Sequence, residues 1–131
     1  MLWPADGVKD NTSRFGTLEP TDVLYETDGP KLFTVTGSDG TYLVYESTFD
    51  PRDRLVRYIA VLASDEMIAR VADGTTAVSE ALDQRAVWSI DQFFDGSLGS
   101  VFRLTRGLSS VPEGFKPEAG VRLHADHHYS T

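Results

Sequence analysis

Alternation of apolar and polar positions begins at Asp22. The stretch DVLYET (22–27) is short and rich in β-formers, and Asp28-Gly29-Pro30 after it is a turn signal. KLFTVT (31–36) puts Phe33 and Val35 on one face and Thr34 and Thr36 on the other, the period of a half-buried strand. Ser38-Asp39-Gly40 supplies a tight turn, because Asp-Gly tolerates the positive φ of a hairpin. TYLVYES (41–47) is a third strand. The loop from Phe49 to Asp53 then leads into LVRYIAVLA (55–63), whose second half is almost continuously apolar, as in a strand covered on both faces. These four strands read as an antiparallel meander.

The period then changes. Ser64 is an N-cap residue, Asp65 and Glu66 occupy a first helical turn, and Met67, Ile68 and Val71 share one helical face. Asp73-Gly74 ends that helix. Val78, Ala81 and Leu82 mark a second short one at spacings i, i+3 and i+4. AVWSI (86–90) returns to the sheet, FFDGSLGS (93–100) reads as a turn or loop, and VFRLT (101–105) is a sixth strand. Residues 1–20, with Pro4, Gly7, Gly16 and Pro20, show no clear period and read as an irregular leader or an edge segment. Beyond Gly107, glycine and proline dominate. The pattern predicts an α+β domain over residues 21–123: a meander of five or six strands with a helical pair inserted after the fourth. Residues 124–131 form a polar, histidine-containing tail.

Composition narrows this picture. The chain has 131 residues, 40% of them hydrophobic, which suits one domain with one core. It has no cysteine, so disulfides and thiolate metal sites are excluded. The opening MLWPADGVKD has neither the basic nor the apolar region of a secretory signal, and no uncharged apolar run approaches the ~20 residues of a membrane helix. The expectation is a soluble cytoplasmic protein with no membrane contact.

Charge is unevenly placed. From Glu19 to Asp50 there are seven carboxylates (Glu19, Asp22, Glu26, Asp28, Asp39, Glu46, Asp50) against Lys31 alone, a net −6 of the chain's −8. A nucleic-acid surface needs a basic stripe to displace phosphate counterions. The short cluster Arg52, Arg54 and Arg57, interrupted by Asp53, does not make one. Direct nucleic-acid binding is therefore not expected. The acidic meander either keeps the domain soluble or docks on a basic partner protein.

Candidate chemistry is sparse. All three histidines, His124, His127 and His128, stand in the closing HADHHYST with Asp126. Imidazole and carboxylate are proper ligands for a divalent ion, but a catalytic site draws ligands from separate ordered elements, and chain ends fray. Gly96-Ser97-Leu98-Gly99 lacks the lysine and helix of a phosphate loop. Pairs such as Asp50 with Asp53, or Asp91 with Asp95, suit acid–base work in a cleft but are more simply solvated loop residues. No catalytic residue, metal ligand or cofactor is assigned. The aromatics divide: Trp88 and Phe102 fit a core, whereas adjacent Phe93 and Phe94 cannot both be buried by one strand face. Exposed aromatics beside polar residues anchor protein partners.

The runs VLYETDGPKLFTVTGSDGTYLVYES and RYIAVLASDEMIARVADGTTAVSEAL, with the later VPEGFKPEAG, resemble an uncharacterised family of small bacterial domains. That family opens Tyr-Glu-x-x-Asp-Gly-Pro-x-Leu-Phe, and the likeness spans roughly residues 22–121. It implies an α+β fold and a bacterial cytoplasmic setting, and it carries no activity to transfer. The functional expectation is a non-enzymatic interaction module of the antitoxin, immunity or defence-locus kind. It would dock Glu26, Asp28, Glu46, Asp50, Phe93 and Phe94 on a basic partner. The alternative from another class is a small metal-assisted hydrolase or nuclease.

Overall fold

The computed structural model describes residues 2–123. Its strands are β1 (Gly7–Lys9), β2 (Asp22–Glu26), β3 (Pro30–Gly37), β4 (Gly40–Asp50), β5 (Leu55–Leu62), β6 (Trp88–Phe93) and β7 (Leu98–Leu104). They form one antiparallel sheet in the order β1-β7-β6-β5-β4-β3-β2. From β2 to β7 each strand pairs with the next in the chain, and β1 returns to lie beside β7. Helices α1 (Asp65–Ala72) and α2 (Val78–Leu82) connect β5 to β6. Neither is long and apolar enough to cross a membrane.

The α+β expectation is overturned: the fold is mainly β. The expected helical pair amounts to one helix of eight residues and a single five-residue turn. Ser64 caps α1 as its sequence implies, accepting a hydrogen bond from the Met67 N–H. At α2 the Glu80 carboxylate reaches back to the Ala77 N–H, but Ala77 has no side-chain acceptor to return the bond, so only half of a capping box is present. Residues 1–20 take the edge-segment alternative and are not an irregular leader. They supply β1, the 3-10 turn Thr12–Phe15 and three buried side chains, Trp3, Phe15 and Leu18. A three-residue strand is too short to display an alternation, which is why the sequence pattern does not reveal it.

The sheet is apolar on both faces. On one side Leu43, Ile59, Val61 and Val87 pack under Val71, Ala81, Leu82 and Val111 of the helices and the C-terminal loop. On the other, Val35, Tyr42, Val44, Trp88 and Ile90 pack under Phe15 and Leu18 of the amino-terminal segment. The lid on this second face is held by an aromatic triangle. Phe15 meets Tyr42 and Trp88 edge to face at 4.7 and 5.9 Å, and Tyr42 meets Trp88 at 5.7 Å. Asp10 pins it: its carboxylate accepts from the Trp88 indole N–H at 2.7 Å and the Arg14 Nε at 3.2 Å, while the Arg14 guanidinium lies over the Trp88 ring.

A buried ion pair ties the first face to the chain start. Arg57 on β5 and Asp91 on β6 are register partners. They bond bidentately, Nε to Oδ1 at 2.7 Å and the terminal nitrogen to Oδ2 at 2.9 Å. The third guanidinium nitrogen donates to the Trp3 carbonyl, and the Trp3 ring lies 4.8 Å from the guanidinium carbon. Trp3 then donates to Ser47, which donates in turn to the Phe115 carbonyl.

Two outcomes follow from these contacts. Asp91→Ala strands a buried guanidinium and is expected to lower unfolding free energy by about 3–5 kcal/mol, read from the urea midpoint; Arg57→Met with Asp91→Leu, which removes both charges, should recover most of the loss. At Asp10, burial opposes ionisation, but the Asn11 N–H, the Trp88 indole and Arg14 outweigh it and hold the carboxyl below its ordinary value. A folded pKa below the unfolded one stabilises above the unfolded value and ceases to do so as pH falls through the folded value. The stability advantage of wild type over Asp10→Asn should therefore be constant above about pH 5 and shrink as pH falls below about 4, in urea titrations across that range.

Candidate docking surface

Meander topology gathers three turns at one end of the sheet. Successive hairpins alternate ends, so the β2–β3, β4–β5 and β6–β7 turns lie together, opposite the end that carries the helices. The β2–β3 turn is made by Asp28 and Gly29, both at positive φ (55° and 107°), which the Asp-Gly dipeptide accommodates. The β4–β5 turn spans residues 51–54. The β6–β7 turn closes through the Gly96 N–H to the Phe93 carbonyl at 2.9 Å, with Gly96 at φ 93°. The last two turns are fastened to each other, since the Phe94 N–H donates to the Arg54 carbonyl at 3.1 Å.

Three phenylalanines crown this end. Phe49 is 57% exposed, Phe94 47% and Phe93 42%. Phe49 and Phe94 stack across the two turns with centroids 5.3 Å apart and planes inclined by 18°. Adjacent Phe93 and Phe94 are thus both exposed. Stacking recovers part of the apolar area that Phe49 and Phe94 would otherwise leave in water, yet an exposed aromatic pair remains.

The acidic residues of the meander part company. Glu26 and Asp28 are exposed at the β2–β3 turn, and neither pairs with a basic side chain among the described residues. Glu46 is mostly covered and bonded to Lys31 at 2.9 Å, so its charge is offset. Asp50 is buried: its Oδ1 accepts from the Arg52 and Asp53 N–H groups at 3.0 and 3.2 Å and shapes the β4–β5 turn. Burial would raise its pKa, but those backbone donors hold the carboxyl below the ordinary value. Its Oδ2 is buried without a hydrogen-bond partner among the described residues. The arrangement brings Glu26, Asp28, Phe93 and Phe94 to one end and leaves Glu46 and Asp50 out of its surface.

Sequence reasoning missed Phe49, because β4 runs on to Asp50 where a loop was expected from Phe49. A register shift between Glu46 and Thr48 hides the alternation at that point. It also missed a cavity of about 430 Å³ at the same end, lined by Glu19, Phe33, Tyr58, Gln92 and Asp95 among others. Tyr58 sits within the apolar run RYIAVL and reads as core; Glu19 reads as part of the leader.

For a metal, His124, His127 and His128 lie outside the described residues. Among the described residues no group of three His, Cys, Asp or Glu side chains is placed to hold an ion. No protein-family model, curated protein or solved structure matches this chain.

Proposed function

We propose that the chain is a non-enzymatic protein-interaction module that docks through the three-turn end of its sheet. The exposed Phe49–Phe94 stack carries this reading. Two aromatic rings held at fixed geometry by turns that are bonded to each other have little conformational entropy left to lose on binding, which suits them as anchors. Around them stand the carboxylates of Glu19, Glu26, Asp28, Asp53 and Asp95 against the guanidinium groups of Arg52 and Arg54. The surface is aromatic at its centre and acidic at its rim, complementary to a partner with apolar and basic side chains. Rim charge of this kind acts mainly on the association rate and on rejection of wrong partners. A small acidic domain with such a surface would suit an antitoxin, an immunity protein or a defence-locus component in a bacterial cytoplasm. The hydrolase alternative has no constellation among the described residues to support it.

Capture experiments with the immobilised chain in lysate of its native host test this. Phe49→Ser with Phe94→Ser should reduce the recovered partner at least about tenfold while leaving the urea midpoint close to wild type, since both rings are exposed. Glu26→Lys with Asp28→Asn should weaken capture chiefly at low salt, with Asn retained at position 28 because it tolerates the positive φ there. Undiminished capture by the double serine variant would sink the proposal.

A further inference from the structure

The 430 Å³ cavity lies on the sheet face closed by the amino-terminal segment, at the three-turn end. Its walls come from separate parts of the chain: residues 17–20, Pro30 and Phe33 of β3, Tyr58 of β5, and Gln92, Asp95 and Gly96 of the β6–β7 turn. No lysine or arginine lines it, but two carboxylates do. Glu19 is exposed and makes no ion pair with another described residue. Asp95 spends only Oδ1 on its turn, accepting from the Ser97 N–H at 2.9 Å and the Ser97 hydroxyl at 2.6 Å. Its Oδ2 has no bond among the described residues.

Tyr58 makes this more than an acidic rim. The residue is 8% exposed, lines the cavity, and its hydroxyl has no hydrogen-bond partner among the described residues. Asp50 Oδ2 is the one fully enclosed side-chain polar atom without a partner among the described residues, so the Tyr58 hydroxyl is reached by solvent and is open to a ligand in the cavity. Its ring is fixed edge to face against Phe33, 5.5 Å between centroids and 85° between planes. Desolvation and the Glu46 charge push its pKa up to about 12, so the hydroxyl stays neutral and keeps its lone pairs for a donor. The wall on the opposite side is held firmly. Leu18 takes φ 59°, which a branched side chain adopts at a cost of about 1–3 kcal/mol, and its buried side chain keeps it there.

We propose that this cavity receives the guanidinium group of an arginine side chain on a partner protein. The inference rests on the docking reading above and names what the acidic rim recognises. The acceptors stand on three different walls: Glu19 carboxylate, Asp95 Oδ2 and the Tyr58 oxygen. A planar cation with five N–H donors can serve acceptors on more than one wall, whereas a point charge satisfies fewer at once. Aromatic walls favour a weakly hydrated, stackable cation over a strongly hydrated ammonium. The larger depression of about 560 Å³ near α2 is lined by Lys31, Lys116 and Arg122, whose charges oppose a bound cation there.

Titration of the ¹⁵N-labelled full chain with N-acetyl-arginine methylamide tests the assignment. Saturable shifts are expected at the amides of Thr17, Phe33, Gly96 and Ser97, and none with the neutral, near-isosteric N-acetyl-citrulline methylamide. Glu19→Gln with Asp95→Asn should weaken the arginine probe at least about tenfold, and Tyr58→Phe about two- to fivefold, each with its urea midpoint measured alongside. Equal shifts from citrulline, shifts confined to other regions, or tighter binding of N-acetyl-lysine methylamide or spermidine would overturn it. A probe that fails to bind while Phe49- and Phe94-dependent capture persists removes the cavity assignment alone. Capture that fails while the probe saturates the cavity removes the docking surface, and with it the protein source of the guanidinium.

Discussion

Arg57 and Asp91 stand opposite each other on β5 and β6, at the middle of the sheet, and both are buried. Removing two ions from water costs several kcal/mol apiece, and only a geometry that gives the guanidinium good hydrogen bonds offsets that. Here each nitrogen has one: the carboxylate takes Nε and one terminal nitrogen along one edge, the Trp3 carbonyl takes the other terminal nitrogen, and the Trp3 ring covers the face. The consequence reaches well beyond two strands. Slipping β6 by one residue against β5 would send Asp91 to the opposite face and leave Arg57 alone, so the pair fixes register at the centre of the meander. Withdrawing Trp3 would open the guanidinium to one side, so the amino-terminal segment cannot leave without unpairing a buried charge. Through Ser47 and Phe115 the same network holds the C-terminal loop.

That constraint explains how a sheet with two apolar faces stays covered with so little helix. Most antiparallel sheets leave one face to water, but this one carries apolar side chains on both, most plainly along β5, where Ile59 and Val61 face one way and Ala60 and Tyr58 the other. One face takes α1, α2 and the C-terminal loop. The other has only the segment that begins with Trp3 and passes through Phe15 and Leu18. The two covers therefore share one strap, and residues far apart in the chain, Trp3 with Ser47 and Asp10 with Trp88, make its bonds.

Legibility of the sequence followed the range of the interactions. Strands β3 to β5 announce themselves because alternation and Asp-Gly turns are local signals; α1 does too, through Ser64 and the spacing of Met67, Ile68 and Val71. What failed depended on partners distant in sequence. Arg57 stands in a basic cluster with Arg52 and Arg54, yet those two are solvated and Arg57 is the most buried cation of the three. Glu46 and Asp50 count as acidic charge in the composition of residues 19–50, but one is offset by Lys31 and the other is spent on a turn. The helical content was overread because a five-residue turn and a full helix both begin with i, i+3 and i+4 spacing. Phe93 and Phe94 were legible for a stereochemical reason: neighbours cannot share a face.

The uncovered end of the sheet is a consequence of the same economy. One cover lies toward the helical end and the other reaches the three-turn end only as residues 17–20, so the turns after β4 and β6 are fastened chiefly to each other. A chain selected only for solubility would put polar residues at all three, as it does at Thr27 to Gly29. Instead Phe49 and Phe94 face each other across two turns, and the hydrogen bond from Phe94 to Arg54 keeps them in place at the expense of leaving both rings in water. Exposed aromatic area that is held rigid rather than folded away is poorly explained by folding stability, because serine at either site would leave both core clusters intact and forgo only the stacking contact. The proposed partner would bury the stack, and the carboxylates around it would set which partners are refused.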